Sequence, residues 1–214
     1  MESRYNTEKT APADAVIIER IRRGDTGAFD ELVKRHQQRA YQFAFRLTNN
    51  PDEAADIVAD AFLRVLRSLD RFKGDSSFTT WLYRIETNCF LDHRKRARCR
   101  PSVSLEDMAP HDEGQLQMCA VDGSPSAHEY VETIERMTVL HSALARLPEH
   151  HQTILVMYHA EEMTYESIAE VLNLPIGTVK SRLSRARRSL HGVLKPSRRL
   201  FTLPIRRQRS LAIS

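Results

Sequence analysis

Glycine is scarce in this chain, with 7 in 214 residues, and aromatic residues make up only 7%. No segment alternates apolar and polar residues at a period of two, so tight hairpins and sheets are not expected. Cysteine is sparse too. Cys89, Cys99 and Cys119 form no CxxC pair and no metal-ligand spacing, which excludes a disulfide framework or zinc site and fits a reduced compartment. The N-terminal MESRYNTEKTAPADA lacks the apolar centre of a signal peptide, and no apolar run approaches membrane-spanning length. The expectation is a soluble, cytoplasmic protein. Catalytic signatures are missing as well: no HExxH, nucleophile elbow or phosphate loop accompanies the nine histidines. His128-Glu129 is followed by Glu132 rather than a second histidine, and His150-His151 and His159 stand isolated. No catalytic residue, metal site or cofactor is expected.

Charge of one sign is missing from whole stretches. Between Pro101 and Glu135 there is no Lys or Arg, while Glu106, Asp107, Asp112, Glu113, Asp122, Glu129, Glu132 and Glu135 fall there. After Glu170 there is no Asp or Glu, yet Lys180, Arg182, Arg185, Arg187 and Arg188 follow. The net charge is only +4. Segregation on this scale points to basic surfaces for a polyanion, separated by an acidic connector.

What is abundant is helical periodicity. Val16, Ile17 and Ile21 open it and Gly24 closes the first segment; Phe29, Leu32, Val33, Ala40, Phe43, Ala44 and Leu47 line the next. Asn49-Asn50-Pro51 then stops one helix and starts another, with Asn50 as cap, Pro51 in the first position, and Asp52 and Glu53 at the positive end of the dipole. Its stripe is Ala54, Ile57, Val58, Ala61, Phe62, Val65 and Leu69. RFKGDSS is a loop by composition, and SSFTTWLYRIETNCFLDHRKRARCR begins a further helix. Residues 101–126 read as an extended acidic linker. A second helical block follows, with Val131, Ile134, Met137 and Leu144 on one face and Leu147-Pro148 as its end. The fold class is all-α: two small helical domains joined by a flexible acidic linker.

TYESIAEVLNLPIGTVKSRLSRARRSL reads as a helix-turn-helix. Thr164 caps a short helix with Ile168, Ala169 and Leu172 inside, and Asn173-Leu174-Pro175 makes the turn. On the second helix Val179, Leu183, Ala186 and Leu190 recur at one buried stripe. Gly177, Ser181, Ser184, Arg185 and Arg188 lie opposite, with Lys180 alongside. Small residues let the backbone approach the major groove, and Ser, Lys and Arg then reach base edges and phosphates.

Two motifs in this order resemble the sigma-70 superfamily of bacterial transcription factors, specifically its ECF (extracytoplasmic function) group. The resemblance runs from about Asp14 to Pro196. PDEAADIVADAFLRVL resembles the polymerase-binding segment of region 2, and RFKGDSSFTTWLYRIETNCFLDHRKR its promoter-melting and −10 segments. LPEHHQTILVMY with the helix-turn-helix resembles region 4. This implies region 2 over residues 14–98, the linker over 99–127, region 4 over 128–196 and a basic tail over 197–214. It also implies an alternative sigma factor, not an enzyme, that binds core RNA polymerase and directs promoter-specific initiation. An anti-sigma factor, often membrane-anchored in this group, is an implied partner.

By that resemblance, Lys180, Ser181, Arg182, Ser184, Arg185 and Arg188 are the candidates for the double-stranded −35 element, with Arg182 and Arg188 as phosphate contacts. Asp52, Asp56, Asp60, Phe62 and Arg64 match the polymerase-facing pattern, although Phe62 also falls on the core stripe. For the −10 element and melting the candidates are Phe72, Lys73, Ser76, Trp81, Arg84, Asn88, Arg94 and Lys95. Phe78, Leu82, Ile85 and Cys89 form the inward stripe of that helix, and Trp81, Arg84, Asn88 and Lys95 lie along its flank. Stacking ring, amide and cations in one line suit a displaced single strand, and the loop before them suits an extruded base. The chain departs from the family pattern at Ala59-Asp60, where a Gln-Glu pair is usual, and at Gln152, where a basic residue is usual. An ordinary helix-turn-helix regulator would account for the second block but not for the tryptophan helix or the acidic helix before it.

Overall fold

The computed structural model describes residues 11–99 and 127–201, and every regular element among them is helical. The first block comprises α1 (Ala11–Arg22), α2 (Thr26–Thr48), α3 (Pro51–Ser68) and α4 (Phe78–Cys99). The second comprises α5 (Ala127–Ala145), α6 (Glu149–His159), α7 (Tyr165–Leu172), α8 (Ile176–Leu194) and the short α9 (Arg198–Phe201). The acidic stretch with Glu106, Asp107, Asp112 and Glu113 and the chain beyond Phe201 lie outside the described residues.

Local chemistry sets the helix ends. Gly24 turns the chain at φ +92°, a left-handed conformation that glycine adopts without a Cβ penalty. Asp25 then caps α2 by accepting from the Ala28 N–H at 3.2 Å. At the other end Asn49 is left-handed and Asn50 caps α3, accepting from the N–H groups of Asp52 and Glu53 at 2.9 and 3.1 Å. The Asn-Asn-Pro reading of this junction is thus the observed one.

Two buried clusters form the interior. One packs α1 to α4 through Ile17, Ile18, Leu32, Phe62, Val65, Leu69, Phe78 and Leu82. Beside it the buried Asp14 carboxylate meets His36 Nε2 at 3.1 Å and Arg35 at 3.0 Å. Burial alone would raise the Asp14 pKa, but these two partners outweigh it and hold the group below its ordinary value.

The other cluster joins the two blocks. It runs from Phe43, Leu47, Tyr83 and Phe90 to Ile154, Met163, Ile168, Val171 and Val179. The domains are therefore packed together rather than held apart on a tether. The physical reason lies in α4, which is buried on two faces. The expected stripe of Phe78, Leu82 and Cys89 faces its own block, with Ile85 partly buried. A second stripe of Tyr83, Glu86, Thr87 and Phe90, at i, i+3, i+4 and i+7, is also buried.

Candidate nucleic-acid interface

The helix-turn-helix forms as its residues require. Thr164 caps α7 by accepting from the Ser167 N–H at 3.1 Å. Asn173 ends it in the left-handed conformation, and its own N–H returns to the carbonyls of Ala169 and Glu170. Pro175 immediately precedes α8, whose buried stripe is Val179, Leu183 and Ala186. Lys180, Ser181, Ser184, Arg185 and Arg188 are exposed on the opposite side, and Arg182 is half-buried. Among the described residues none of these cations is paired with a carboxylate. Arg187 differs: it stacks over the Tyr158 ring at 4.7 Å and donates to His159 Nε2 at 3.2 Å. Burial and the adjacent guanidinium lower the His159 pKa, which keeps that nitrogen free to accept.

The second candidate surface starts at the loop between α3 and α4. The Arg22 guanidinium bonds the carbonyls of Leu69 and Phe72, fixing where the loop leaves the helices. Gly74 turns it at φ +81°. Phe72, Phe78 and Trp81 form an aromatic triangle, with Trp81 5.0 Å from Phe72 and 6.0 Å from Phe78. Trp81 is half-buried at the edge of the core, Ser76 is half-buried and Lys73 is exposed. Arg84, Asn88 and Lys95 continue from Trp81 as an exposed line. Arg94 does not share their freedom, because its Nε lies 3.8 Å from Glu149 of α6, which Arg98 also bonds.

On α3, Asp52 and Asp56 are exposed, but Phe62 is 7% exposed and packs in the first block's core. Its placement as a polymerase-facing residue is corrected: it lies with Val65 and Leu69 on the buried stripe. Leu63 and Leu66, which the polymerase-facing pattern does not include, stand 50% and 49% exposed instead. Arg64 pairs with Asp92 of α4 at 2.8 Å and Asp60 lies 3.5 Å from His93, so both also brace α3 against α4. Gln152, at the position where a basic residue is usual, is buried and donates to the Leu47 carbonyl at 2.5 Å.

The two candidate DNA surfaces meet. A cavity of about 210 Å³ is lined by Arg84, Asn88 and Leu91 from α4 and by His150, Asn173 and Arg182 from the second block.

Known proteins match this arrangement. Family models described as Sigma-70 region 2 and Sigma-70, region 4 match residues 32–100 and 137–190. The RNA polymerase sigma-H factor of Pseudomonas aeruginosa is 36% identical, over 87% of this chain and 96% of its own length. The ECF RNA polymerase sigma-E factor of Escherichia coli is 32% identical, over 86% of this chain and 95% of its own. Among solved structures, the sigma factor RpoE of Bartonella quintana in complex with the anti-sigma factor NepR is similar. It shares 28% identity and a TM-score of 0.56, over 78% of this chain and 96% of that one. CnrH in complex with the cytosolic domain of CnrY gives 25% identity and a TM-score of 0.59, over 86% of this chain and 98% of that one. With both regions present in order and relatives matched almost end to end, the chain belongs to the ECF group of the sigma-70 superfamily.

Proposed function

We propose a division of labour for this ECF sigma factor in which region 2 holds polymerase and the −10 strand while region 4 reads the −35 duplex. The observation that carries it is the face of α8 opposite Val179, Leu183 and Ala186: Lys180, Arg185 and Arg188 stand exposed there with no carboxylate partner among the described residues. Free cations on a helix that follows a tight turn suit major-groove insertion. Arg185 and Ser184 serve base edges and Arg182 and Arg188 serve phosphates. In region 2, Trp81 offers a stacking ring, Asn88 an amide for a base edge, and Arg84 and Lys95 phosphate contacts. The loop from Phe72 to Ser77 receives an extruded base.

Core polymerase meets α3 through Asp52 and Asp56 together with the exposed Leu63 and Leu66, an apolar pair beside acidic positions. An anti-sigma factor covers one or both regions, a reading supported by the Bartonella relative, which is in complex with one. The chain catalyses nothing itself and works in the cytoplasm, where polymerase and promoter are. No helix among the described residues is long and apolar enough to cross a membrane. The test is transcription with core polymerase on genomic fragments. Start sites sharing two upstream motifs are expected, and initiation indistinguishable from core polymerase alone would reject the reading.

A further inference from the structure

We propose that the free chain holds itself closed, with region 4 docked on the second face of α4, so that it can read neither promoter element until the regions part. This rests on the site assignments above and concerns how those sites are regulated. Four polar links cross the interface. The Tyr83 hydroxyl donates to Glu161 at 2.5 Å. Arg46 bonds the same carboxylate, and also the Ala160 carbonyl at 3.2 Å. Gln152 Nε2 donates to the Leu47 carbonyl, and Arg94 and Arg98 converge on Glu149.

Closure covers the reading surfaces. Asn88 and Arg84 share one cavity with Asn173 and Arg182, so bases and phosphates approaching either set meet the other domain. Arg94, a candidate phosphate contact, is already engaged by Glu149. Reach makes the same point. The −35 and −10 elements lie about 25 base pairs apart, roughly 85 Å of duplex at about 3.4 Å per pair. Readers that line a single cavity cannot serve both. Residues 100–126 are enough to let them separate, since a chain of that length spans at most roughly 90 Å.

The interface also has the composition of one that opens. Both carboxylate oxygens of Glu86, the Thr87 hydroxyl, His151 Nδ1 and Gln152 Oε1 are buried without a hydrogen-bond partner. A permanent core rarely leaves so many polar atoms unmet. Each can regain water when the regions part. Meanwhile the polymerase-facing side of α3 stays open, with Leu63, Leu66, Asp52 and Asp56 exposed. Polymerase can therefore engage the closed chain and then draw region 4 away.

The experiment measures energy transfer between dyes at Glu53 and His191, both exposed and outside the reading surfaces, with Cys99 and Cys119 replaced by serine. Glu161→Arg places like charge against Arg46. It should lower transfer in the free chain and tighten binding to a −35 duplex roughly tenfold, the size expected for losing charge-assisted bonds. The swap Arg46→Glu with Glu161→Arg should restore most of the transfer. Gln152→Ala, a milder change, should move both readouts the same way by a smaller factor. Low transfer in the unmodified chain, or transfer unchanged by all three variants, overturns closure. Opening with no gain in −35 affinity overturns the occlusion. Promoter-directed transcription with core polymerase, measured in parallel, tests the sigma-factor reading separately, so failure of one is distinguishable from failure of the other.

Discussion

The Tyr83 hydroxyl donates to Glu161 at 2.5 Å across 78 positions of sequence, joining α4 of region 2 to the α6–α7 connection of region 4. Its ring packs independently, 4.7 Å from Phe43. Burial and the Glu161 carboxylate both push the Tyr83 pKa up, so the hydroxyl remains a donor at any physiological pH. Tyr83→Phe keeps the ring and deletes the bond. It should destabilise the joined state by about 1–3 kcal/mol, the range for leaving a buried polar partner under-satisfied. Urea unfolding checks this: an earlier transition is expected, and a variant unfolding with the parent would show the bond contributes nothing.

Glu86 makes stability depend on pH. Its carboxylate is fully buried on α4 without a partner, and burial followed by the charge of Glu161 raises its pKa well above 4.5. Tyr83 and Arg46 lie with Glu161 on the same side, and both spend their hydrogen bonds on Glu161. The folded chain therefore keeps a proton that the unfolded chain releases. The stability from this group is fully present below about pH 4.5 and is lost as pH rises toward the raised value, by about 1.4 kcal/mol per unit. Glu86→Gln should melt higher than the parent at pH 7 and converge with it near pH 4.5. Melting curves that stay parallel across that range would remove Glu86 as the cause.

Trp81 is the only tryptophan, which makes it both a candidate base platform and its own reporter. Its position beside Phe72 and Phe78, half-buried, leaves part of the ring for a base. Trp81→Ala should weaken promoter opening by the about 1–3 kcal/mol that one base–aromatic stack supplies, while closed-complex binding changes little. Permanganate reactivity of unpaired thymines measures opening, and gel shift at low temperature measures the closed complex. Equal loss in both would make Trp81 a packing residue.

Most of the helical plan is legible in the sequence because capping and periodicity are local. Asn50-Pro51, Thr164 and the Val179–Leu183–Ala186 stripe act through bonds and spacings within a few residues. The second face of α4 is hidden, because Glu86 and Thr87 interrupt the apolar pair Tyr83 and Phe90 and resemble a solvated face. The role of Gln152 is hidden for another reason: its partner is a backbone carbonyl 105 positions away, which leaves no pattern. The choice between Phe62 and its neighbours is readable. Phe62, Val65 and Leu69 already complete one stripe, which leaves Leu63 and Leu66 on another.

Arg185 and Arg187 separate recognition from packing on one helix. Arg185 is exposed and has no carboxylate partner among the described residues, so Arg185→Ala should leave stability within about 0.5 kcal/mol. Its −35 affinity should fall by about 1–3 kcal/mol, with relaxed preference at one base position. Arg187→Ala should do the reverse. Losing its stack on Tyr158 costs about 0.5–1 kcal/mol of stability and leaves base preference intact. Thermal melts paired with binding to a −35 mutant panel read both, and identical profiles for the two variants would refute the distinction.

Leu63 and Leu66 are apolar side chains on α3 that region 2 does not need for its own core, since Phe62, Val65 and Leu69 fill it. Leucine left about half exposed at two positions one turn apart is a patch that gains from being covered. Leu63→Asp with Leu66→Asp should therefore leave the melting temperature nearly unchanged and weaken binding to core polymerase at least roughly tenfold, from the apolar area no longer buried. DNA binding by region 4 should not change, because α8 is on the other block. Co-sedimentation with core polymerase measures the first effect. Full retention of polymerase by the double variant would move the contact elsewhere on α3, to the acidic positions Asp52 and Asp56.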